Sequence, residues 1–397
     1  MEKYEAIIIG GGACGLMCAA QAGMLGKKTL LIEGNSKPGA KILISGGGRC
    51  NYTNLYTGIE NFVSENPKFL HSVFNQWTIE DTIHFFEERG IKGKEKTLGQ
   101  LFPITNKARD VVKVFTDILE ETRQTLWLNS KAEKVTKTEK GFEVLVYKEG
   151  KKQTVHAEKL ILTTGGLPVA KMGASDFALR VAKQFGHTIV PTAPALVPLT
   201  ITGKEAEWYA ALSGNSVFCR VYNDKIEFEE NILFTHWGLS GPAILQISSY
   251  WRAGEKIYIN LLPKHDISTL IQEERNAGGS RTLKQLVKPF FTNRFLEAMA
   301  GIFPMDIKIA SLGKKKEREF AKWLHTFEVI PAGDKGYDKA EVMRGGVNTQ
   351  ELNPRTLESK KTEGLYFGGE CIDITGWLGG YNFQWAWAAG YAIAQDI

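Results

Sequence analysis

Ala6-Ile7-Ile8-Ile9-Gly10-Gly11-Gly12-Ala13-Cys14-Gly15 opens the chain with an apolar run that stops at a G-x-G-x-x-G turn. The run reads as a buried strand, and each glycine has its own mechanical task. Gly10 allows the tight turn, Gly12 keeps a Cβ away from an approaching pyrophosphate, and Gly15 lets the next helix pack closely on the strand. That helix runs from about Leu16 to Leu25 and stops at Gly26. Its N-terminus points a positive dipole at the phosphates, with Ala13 and Cys14 among the candidate cofactor-binding residues of the turn before it. Thr29-Leu30-Leu31-Ile32 is a second apolar strand, closed by Glu33 and Gly34. Glu33 is placed where a carboxylate accepts hydrogen bonds from an adenosine ribose, which disfavours a 2′-phosphate. Strand, turn, helix, strand and acid in this order specify a dinucleotide site in a Rossmann-like α/β fold, whereas a lone G-x-G-x-x-G is weak.

The C-terminal end repeats the theme. Leu365-Tyr366-Phe367 leads into Gly368-Gly369-Glu370, then Asp373, then Gly376-Trp377-Leu378-Gly379-Gly380-Tyr381-Asn382. This reads as a strand, a polar loop and a glycine-rich start to a closing helix, Phe383 to Ala394. Two such turns at opposite ends suit one cofactor held by both, and FAD fits best. After the second strand, Lys37-Pro38-Gly39-Ala40-Lys41 runs into Ser45-Gly46-Gly47-Gly48-Arg49-Cys50-Asn51-Tyr52-Thr53-Asn54 instead of a further crossover strand. As a loop, its backbone donors, those of Gly47 and Gly48 among them, with Arg49, Asn51, Thr53 and Asn54 would line a pyrophosphate, a ribityl chain or a flavin edge. A flexible surface loop is the competing reading. Leu160-Ile161-Leu162-Thr163-Thr164-Gly165-Gly166 is a buried strand ending in small residues, which lets backbone pass close to the dinucleotide. Val135 completes the candidate cofactor set. A helix start at Gly379-Gly380 aimed at the flavin C2 carbonyl would favour the anionic reduced ring.

The chain has 397 residues, 43% of them hydrophobic and 23% charged, enough for two or three globular domains. No apolar run approaches the ~18–20 residues that span a bilayer, and three glycines cut short any N-terminal signal core. Five cysteines without C-x-x-C spacing support neither zinc nor a disulfide framework, so a cytoplasmic, metal-free protein is expected. The net charge of +5 permits an RNA partner without demanding one. The densest basic run is Lys314-Lys315-Lys316 with Arg318 and Lys322, for which a solvated helix start is the blander reading.

Helices are expected over 66–90, 107–122 and 174–186, and a hairpin about Glu149-Gly150. Pro191, Pro194 and Pro198 mark a crossing between domains. The expected organisation is a cofactor domain over 1–193, an inserted β-barrel over 194–264, a helical domain over 265–326, a return to the barrel with a linker over 327–340, and the rest of the cofactor domain over 341–397. Phe290, Phe291, Phe295, Leu296 and Met299 are expected on one apolar helical face.

Phe234-Thr235-His236-Trp237-Gly238-Leu239-Ser240-Gly241-Pro242 invites a hydrolase reading but fails G-x-S-x-G, because Pro242 stands where the last glycine belongs. A turn near an active site fits better, with His236 facing substrate or serving structure. Cys50 would donate a proton to a substrate carbon or pack as an inert thiol. Tyr381, like Trp237, would stack on an extruded base. Cys50, His236 and Tyr381 are thus the candidate catalytic residues.

With these motifs in place the chain resembles the YhiN/HI0933-type flavoproteins over its full length. The most specific stretches are Ser45 to Asn54, Leu233 to Pro242, and Thr375 to Trp387. The resemblance implies a glutathione-reductase-type FAD domain split by an inserted β-barrel and a small helical domain. It places Gly10, Gly12, Gly15, Glu33, Lys41, Arg49, Thr164, Gly165, Glu370, Asp373, Gly380 and Asn382 around FAD. The C-terminal signature resembles the branch assigned to dihydrouridine synthesis in large-subunit ribosomal RNA. Ala40, Cys371, Trp237 and the segment from Pro168 to Met172 depart from the family pattern, the last two beside the expected substrate cleft.

The resulting expectation is an FAD enzyme that takes hydride from NAD(P)H, a transient visitor since there is only one fingerprint, and reduces an activated C=C bond. The foremost candidate bond is the uridine C5=C6 of 23S rRNA. One rival is a reductase or oxidase of a small enone or amine. Another is a flavin-bearing RNA-binding or redox-sensing protein without turnover.

Overall fold

The computed structural model describes residues 3–169 and 172–397. Ala170 and Lys171, within the segment that departs from the family pattern, lie outside the described residues. The opening apolar run becomes strand Tyr4–Ile9, which pairs in parallel with Thr29–Ile32 on one side and Lys151–Leu162 on the other. Thr125–Trp127 and Leu365–Phe367 extend the sheet in parallel at either end. Tyr4–Ile9, Thr29–Ile32 and Leu365–Phe367 are apolar and almost wholly buried, as expected where helices cover both faces of a parallel sheet.

Strand Lys151–Leu162 corrects the sequence reading. The hairpin arm and the buried strand expected after it are one strand of 12 residues. Its outer half pairs antiparallel with Gly141–Lys148, which pairs in turn with Ser130–Thr138. Its inner half joins the parallel sheet, so two burial patterns coexist along one strand. The expected helix over 66–90 is two, Phe69–Phe74 and Ile79–Glu87. Thr78 and Asp81 form a capping box that starts the second afresh. The expected loop after Pro38 instead begins as a helix, Ala40–Gly48, which leaves helical geometry at Ser45–Gly47. Lys41 therefore projects from a helix.

Contacts divide the chain into two units, Met1–Ala193 with Val342–Ile397, and Pro194–Glu341. In the first unit the ends of the chain pack together. The first helix, Ala13–Met24, lies against the last, Tyr381–Ala394. A Cβ on Gly390 would fall 2.5 Å from the Cys14 carbonyl oxygen, so the approach depends on glycine.

The second unit is built on an antiparallel sheet in the order Phe327–Val329, Ile257–Asn260, Ser216–Tyr222, Glu227–Thr235, Gly238–Ser240, Leu199–Thr200, Gly333–Asp334. Its two edge strands are separated in sequence only by residues 330–332. That link reaches at most about 14 Å. A flat sheet of seven strands would hold its edges about 29 Å apart. The sheet must therefore curl into a barrel whose seam is closed by the chain. Between strands Ile257–Asn260 and Phe327–Val329 stand helices Ile267–Asn276, Leu283–Val287 and Asn293–Ala300, started by the side-chain caps Asp266, Thr282 and Thr292, and then Lys314–His325. Phe291, Phe295, Leu296 and Met299 are buried together.

Among the described residues, no group of three or more His, Cys, Asp or Glu could hold a metal ion, and no helix is long and apolar enough to cross a membrane. All five cysteines are free and buried.

Candidate cofactor site

The three fingerprint glycines separate by what surrounds them. Gly10 has φ +108°, and a Cβ there would meet the Thr163 carbonyl oxygen at 2.5 Å. At Gly15 a Cβ would lie 1.9 Å from the Gly10 carbonyl oxygen. At Gly12 it would meet nothing within 4 Å, and its backbone is extended, φ −78° and ψ −169°. Protein atoms demand glycine at 10 and 15, while at 12 only something outside the chain would. Gly12 starts the first helix with no side-chain cap, leaving the helix end available to an anion. Gly34, exposed at the end of the second strand, likewise faces open space.

Glu33 is buried and already engaged. One carboxylate oxygen accepts from the Gly11 N–H at 2.8 Å, the other from the Asn35 N–H at 2.7 Å and the Asn35 amide at 2.8 Å. The acid thus braces the glycine turn from the second strand. Its remaining lone pairs are what a ribose hydroxyl would use. Thr163 adds a second brace, its hydroxyl donating to the carbonyls of Gly10 at 2.9 Å and Ile9 at 3.1 Å.

The C-terminal turn packs directly on this one. A Cβ on Gly368 would sit 2.7 Å from Cys14 Sγ, and one on Gly369 3.1 Å from Cys14 Cβ. Lys41 Nζ donates to Glu370 at 2.7 Å, and the other Glu370 oxygen accepts from the Met343 N–H at 3.0 Å. Gly166 lets that carboxylate approach, since a Cβ there would be 2.8 Å from it; Gly165, φ +72°, stands 3.8 Å off by the same measure. Asp373 is buried and accepts from the Glu65 N–H at 2.8 Å and the Ser64 hydroxyl at 3.4 Å. Burial pushes its pKa up to about 6, with the nearby Glu65 charge adding and the hydrogen bonds opposing.

The start of the last helix rests on the 51–54 segment. Gly380 has φ +104°, and a Cβ would strike the Thr53 carbonyl at 2.5 Å; one on Gly379 would lie 3.1 Å from the Gln100 amide. Asn382 closes the loop before it, accepting from the Gly376 N–H at 2.8 Å and donating to the carbonyls of Gly376 at 2.9 Å and Trp377 at 3.2 Å. Thr53 donates to Gln384 at 2.7 Å, and Trp387 Nε1 donates to the Tyr52 carbonyl at 2.8 Å. Gln384, an amide buried in a mostly apolar helix, was the signal for this bridge, and sequence reasoning passed over it.

Arg49 turns back on its own helix, donating to the Gly46 carbonyl at 2.8 Å with its guanidinium 5.4 Å from the Phe102 ring centroid. Gly47 is open in front, and Gly48 meets only the Leu43 carbonyl at 3.8 Å. Val135 is buried on strand Ser130–Thr138, its carbonyl accepting from Gln184 at 2.9 Å. Four buried polar atoms in the first unit have no hydrogen-bond partner among the described residues, Asn51 Oδ1, Tyr52 Oη, Thr164 Oγ1 and His187 Nδ1, the last of them 3.2 Å from the Glu351 carboxylate. Orphaned atoms of this kind call for a ligand or water. With the open faces of Gly12, Gly34 and Gly47 and the uncapped helix start, Asn51 Oδ1 and Thr164 Oγ1 fit a bound dinucleotide.

Cys50 is corrected. Its side chain is fully buried and burial pushes its thiol up to about 12, against a weaker opposing bond from Ser45. It is a packed thiol, closed off from the surface. Tyr381 begins the last helix, 7% exposed, its ring edge-on to Phe62 and Trp377. His236 is exposed in the second unit, on the turn between Glu227–Thr235 and Gly238–Ser240, with its ring 4.1 Å from that of Trp237.

The chain matches the HI0933-like protein Rossmann domain over residues 4–396. It belongs to that family. Within reach of the family's named members, it is 44% identical to the ribosomal RNA dihydrouridine synthase of Escherichia coli K12, covering 100% of this chain and 98% of that protein. It is 29% identical to the 3-dehydro-bile acid delta(4,6)-reductase of Clostridium scindens, covering 98% and 97%. The chain is an oxidoreductase of this family. Among solved structures, the 3-ketosteroid-delta4-(5alpha)-dehydrogenase of Rhodococcus jostii RHA1 shares the fold, with a TM-score of 0.51, 12% identity, and coverage of 99% and 97%.

Proposed function

We propose that the protein binds FAD and uses it, with NAD(P)H as the reductant, to convert a uridine of 23S rRNA to dihydrouridine. The observation that carries the substrate is the 44% identity over the whole chain to a ribosomal RNA dihydrouridine synthase. FAD would supply a two-electron carrier between the nicotinamide and the uracil C=C bond. The chain's own residues do the rest. The uncapped helix start at Gly12 would hold the pyrophosphate, Glu33 would accept from the adenosine ribose, and Thr164, Asn51 and the Glu370–Lys41 pair would serve the rest of the cofactor. Tyr381 is placed at the same glycine turn and is the side chain we assign to substrate; His236 belongs to the other unit.

A small-enone reductase is the second reading, supported by the bile acid reductase at 29% identity. One experiment separates the two. The purified protein should be yellow and release FAD, not FMN, on denaturation. Given NADPH and unmodified 23S rRNA, it should yield one uridine heavier by two hydrogens on nucleoside mass spectrometry. Turnover of a small enone with no dihydrouridine in intact or fragmented rRNA would establish the second reading instead.

A further inference from the structure

Positive charge is concentrated in one stretch of the first unit. Between Arg89 and Lys113 seven basic residues face two acidic ones, against 49 and 44 in the whole chain. Arg89, Arg109 and Lys113 each have an acidic partner within 4 Å. Lys92, Lys94, Lys96 and Lys107 are exposed and make no ion pair among the described residues.

Three of these lysines lie on one ladder. Strand Gly93–Glu95 pairs antiparallel with Gln100–Pro103, with Lys94 opposite Phe102. The ladder extends at both ends, Ile104 N–H to Lys92 carbonyl at 2.9 Å and Lys96 N–H to Gln100 carbonyl at 3.0 Å. Side chains alternate along a strand, so Lys92, Lys94 and Lys96 share a face, roughly 6.6–6.8 Å apart in sequence steps of two. Lys96 Nζ lies 5.8 Å from the Phe102 ring centroid, and the Arg49 guanidinium 5.4 Å from the same ring. Like charges so arrayed repel unless an anion meets them. Their spacing is of the order of successive phosphates on an extended nucleic acid strand. At the tip of the hairpin Tyr56 is 65% exposed and Leu98 58%, an aromatic and an aliphatic surface beside the charges.

The strip is tied to the candidate cofactor site. Asn54 Nδ2 donates to the Leu98 carbonyl at 3.0 Å and to the Gly379 carbonyl at 2.9 Å, joining the hairpin tip to the glycine start of the last helix.

We propose that Lys92, Lys94 and Lys96 form a docking strip for the sugar-phosphate backbone of the RNA flanking the target base, with Tyr56 as a stacking surface at its end. The inference rests on the rRNA reading above. Phosphate contacts position a nucleic acid without reading its sequence, and an adjacent aromatic holds an unpaired base. The strip thereby presents single-stranded RNA to the unit that carries the cofactor turns.

The test compares the holoenzyme with a Lys92→Gln, Lys94→Gln, Lys96→Gln variant and with the corresponding triple arginine variant. Binding to an unmodified 23S rRNA transcript is measured across a salt series, alongside FAD content and dihydrouridine yield. The glutamine variant should keep its FAD, bind on the order of tenfold more weakly at low salt, and lose about 2 from the slope of log K against log salt. The arginine variant should bind like the parent. A glutamine variant with parental affinity and slope overturns the strip while leaving the uridine reading intact, and is the outcome if the lysines serve an acidic protein. A parent protein that neither binds nor modifies rRNA overturns both.

Discussion

The two glycine-rich helix starts look alike in sequence and do different work. At the N-terminal turn, Gly10 and Gly15 are required by the chain's own backbone, and Gly12 faces nothing. At the C-terminal turn both glycines are held by the chain itself: Gly379 against Gln100, Gly380 against Thr53. One turn therefore leaves the space beside its central glycine free of protein atoms, and the other is a joint between segments far apart in sequence. A glycine in a cofactor motif is evidence for a ligand only where the protein leaves its missing side chain's space unused.

Substitutions at the first turn should split this comparison most widely. Gly15→Ala places a Cβ 1.9 Å from a carbonyl oxygen, an overlap that costs several kcal/mol and should leave little folded protein. Gly12→Val meets no protein atom at its Cβ and has an ordinary extended backbone, so it should fold with unchanged circular dichroism and lose FAD. Stoichiometric FAD in Gly12→Val would mean that the space beside Gly12 is not the pyrophosphate site.

Gly380→Ala tests the joint. Left-handed backbone costs an alanine about 1–2 kcal/mol, and the 2.5 Å approach to Thr53 adds to it. A thermal midpoint lowered by several degrees is expected even in FAD-free protein; loss of FAD with an unchanged midpoint would give this turn the role of the first. Asn382→Ala removes three hydrogen bonds that close the same loop and should cost about 1–3 kcal/mol.

Asp373 gives a pH signature to the region between the turns. Its folded pKa, about 6, lies above that of an unfolded aspartate, so the folded state binds the proton more tightly. Its contribution is full at low pH and is lost as pH rises through the interval up to about 6. The stability advantage of Asp373→Asn over the parent should therefore grow between about pH 4 and pH 6 and then level off. An advantage independent of pH would contradict the assignment. The smallest effect is expected from neutralising Lys314, Lys315 and Lys316 together. A modest loss of rRNA affinity with full FAD content would extend the RNA surface to the second unit, and no loss would leave that run a solvated helix start.

Much of the first unit was legible because its signals are local. The alternation of apolar strand, glycine turn and helix needs only neighbouring residues to be recognised, and Glu33 lies one strand away from the turn it braces. The second unit carried weaker signals. Its strands Leu199–Thr200 and Gly238–Ser240 are too short to carry any periodicity. The start of helix Ala40–Gly48 was hidden by the glycines that end it, which dominate composition without deciding the conformation of Ala40 to Ile44.

The sequence by itself determined the parallel sheet, the turn at Gly10 to Gly15 and the membership of both chain ends in one unit, since hydrophobic period and glycine placement are properties of the covalent chain. The tertiary structure alone decided which polar groups remain for a ligand. Glu33 and Asn382 are largely engaged by protein, Cys50 is sealed in the core, and Asn51 Oδ1 and Thr164 Oγ1 are left without partners. Hydrogen-bond satisfaction depends on atoms brought together from positions hundreds of residues apart, such as Lys41 with Glu370, and no local pattern of residues carries that information.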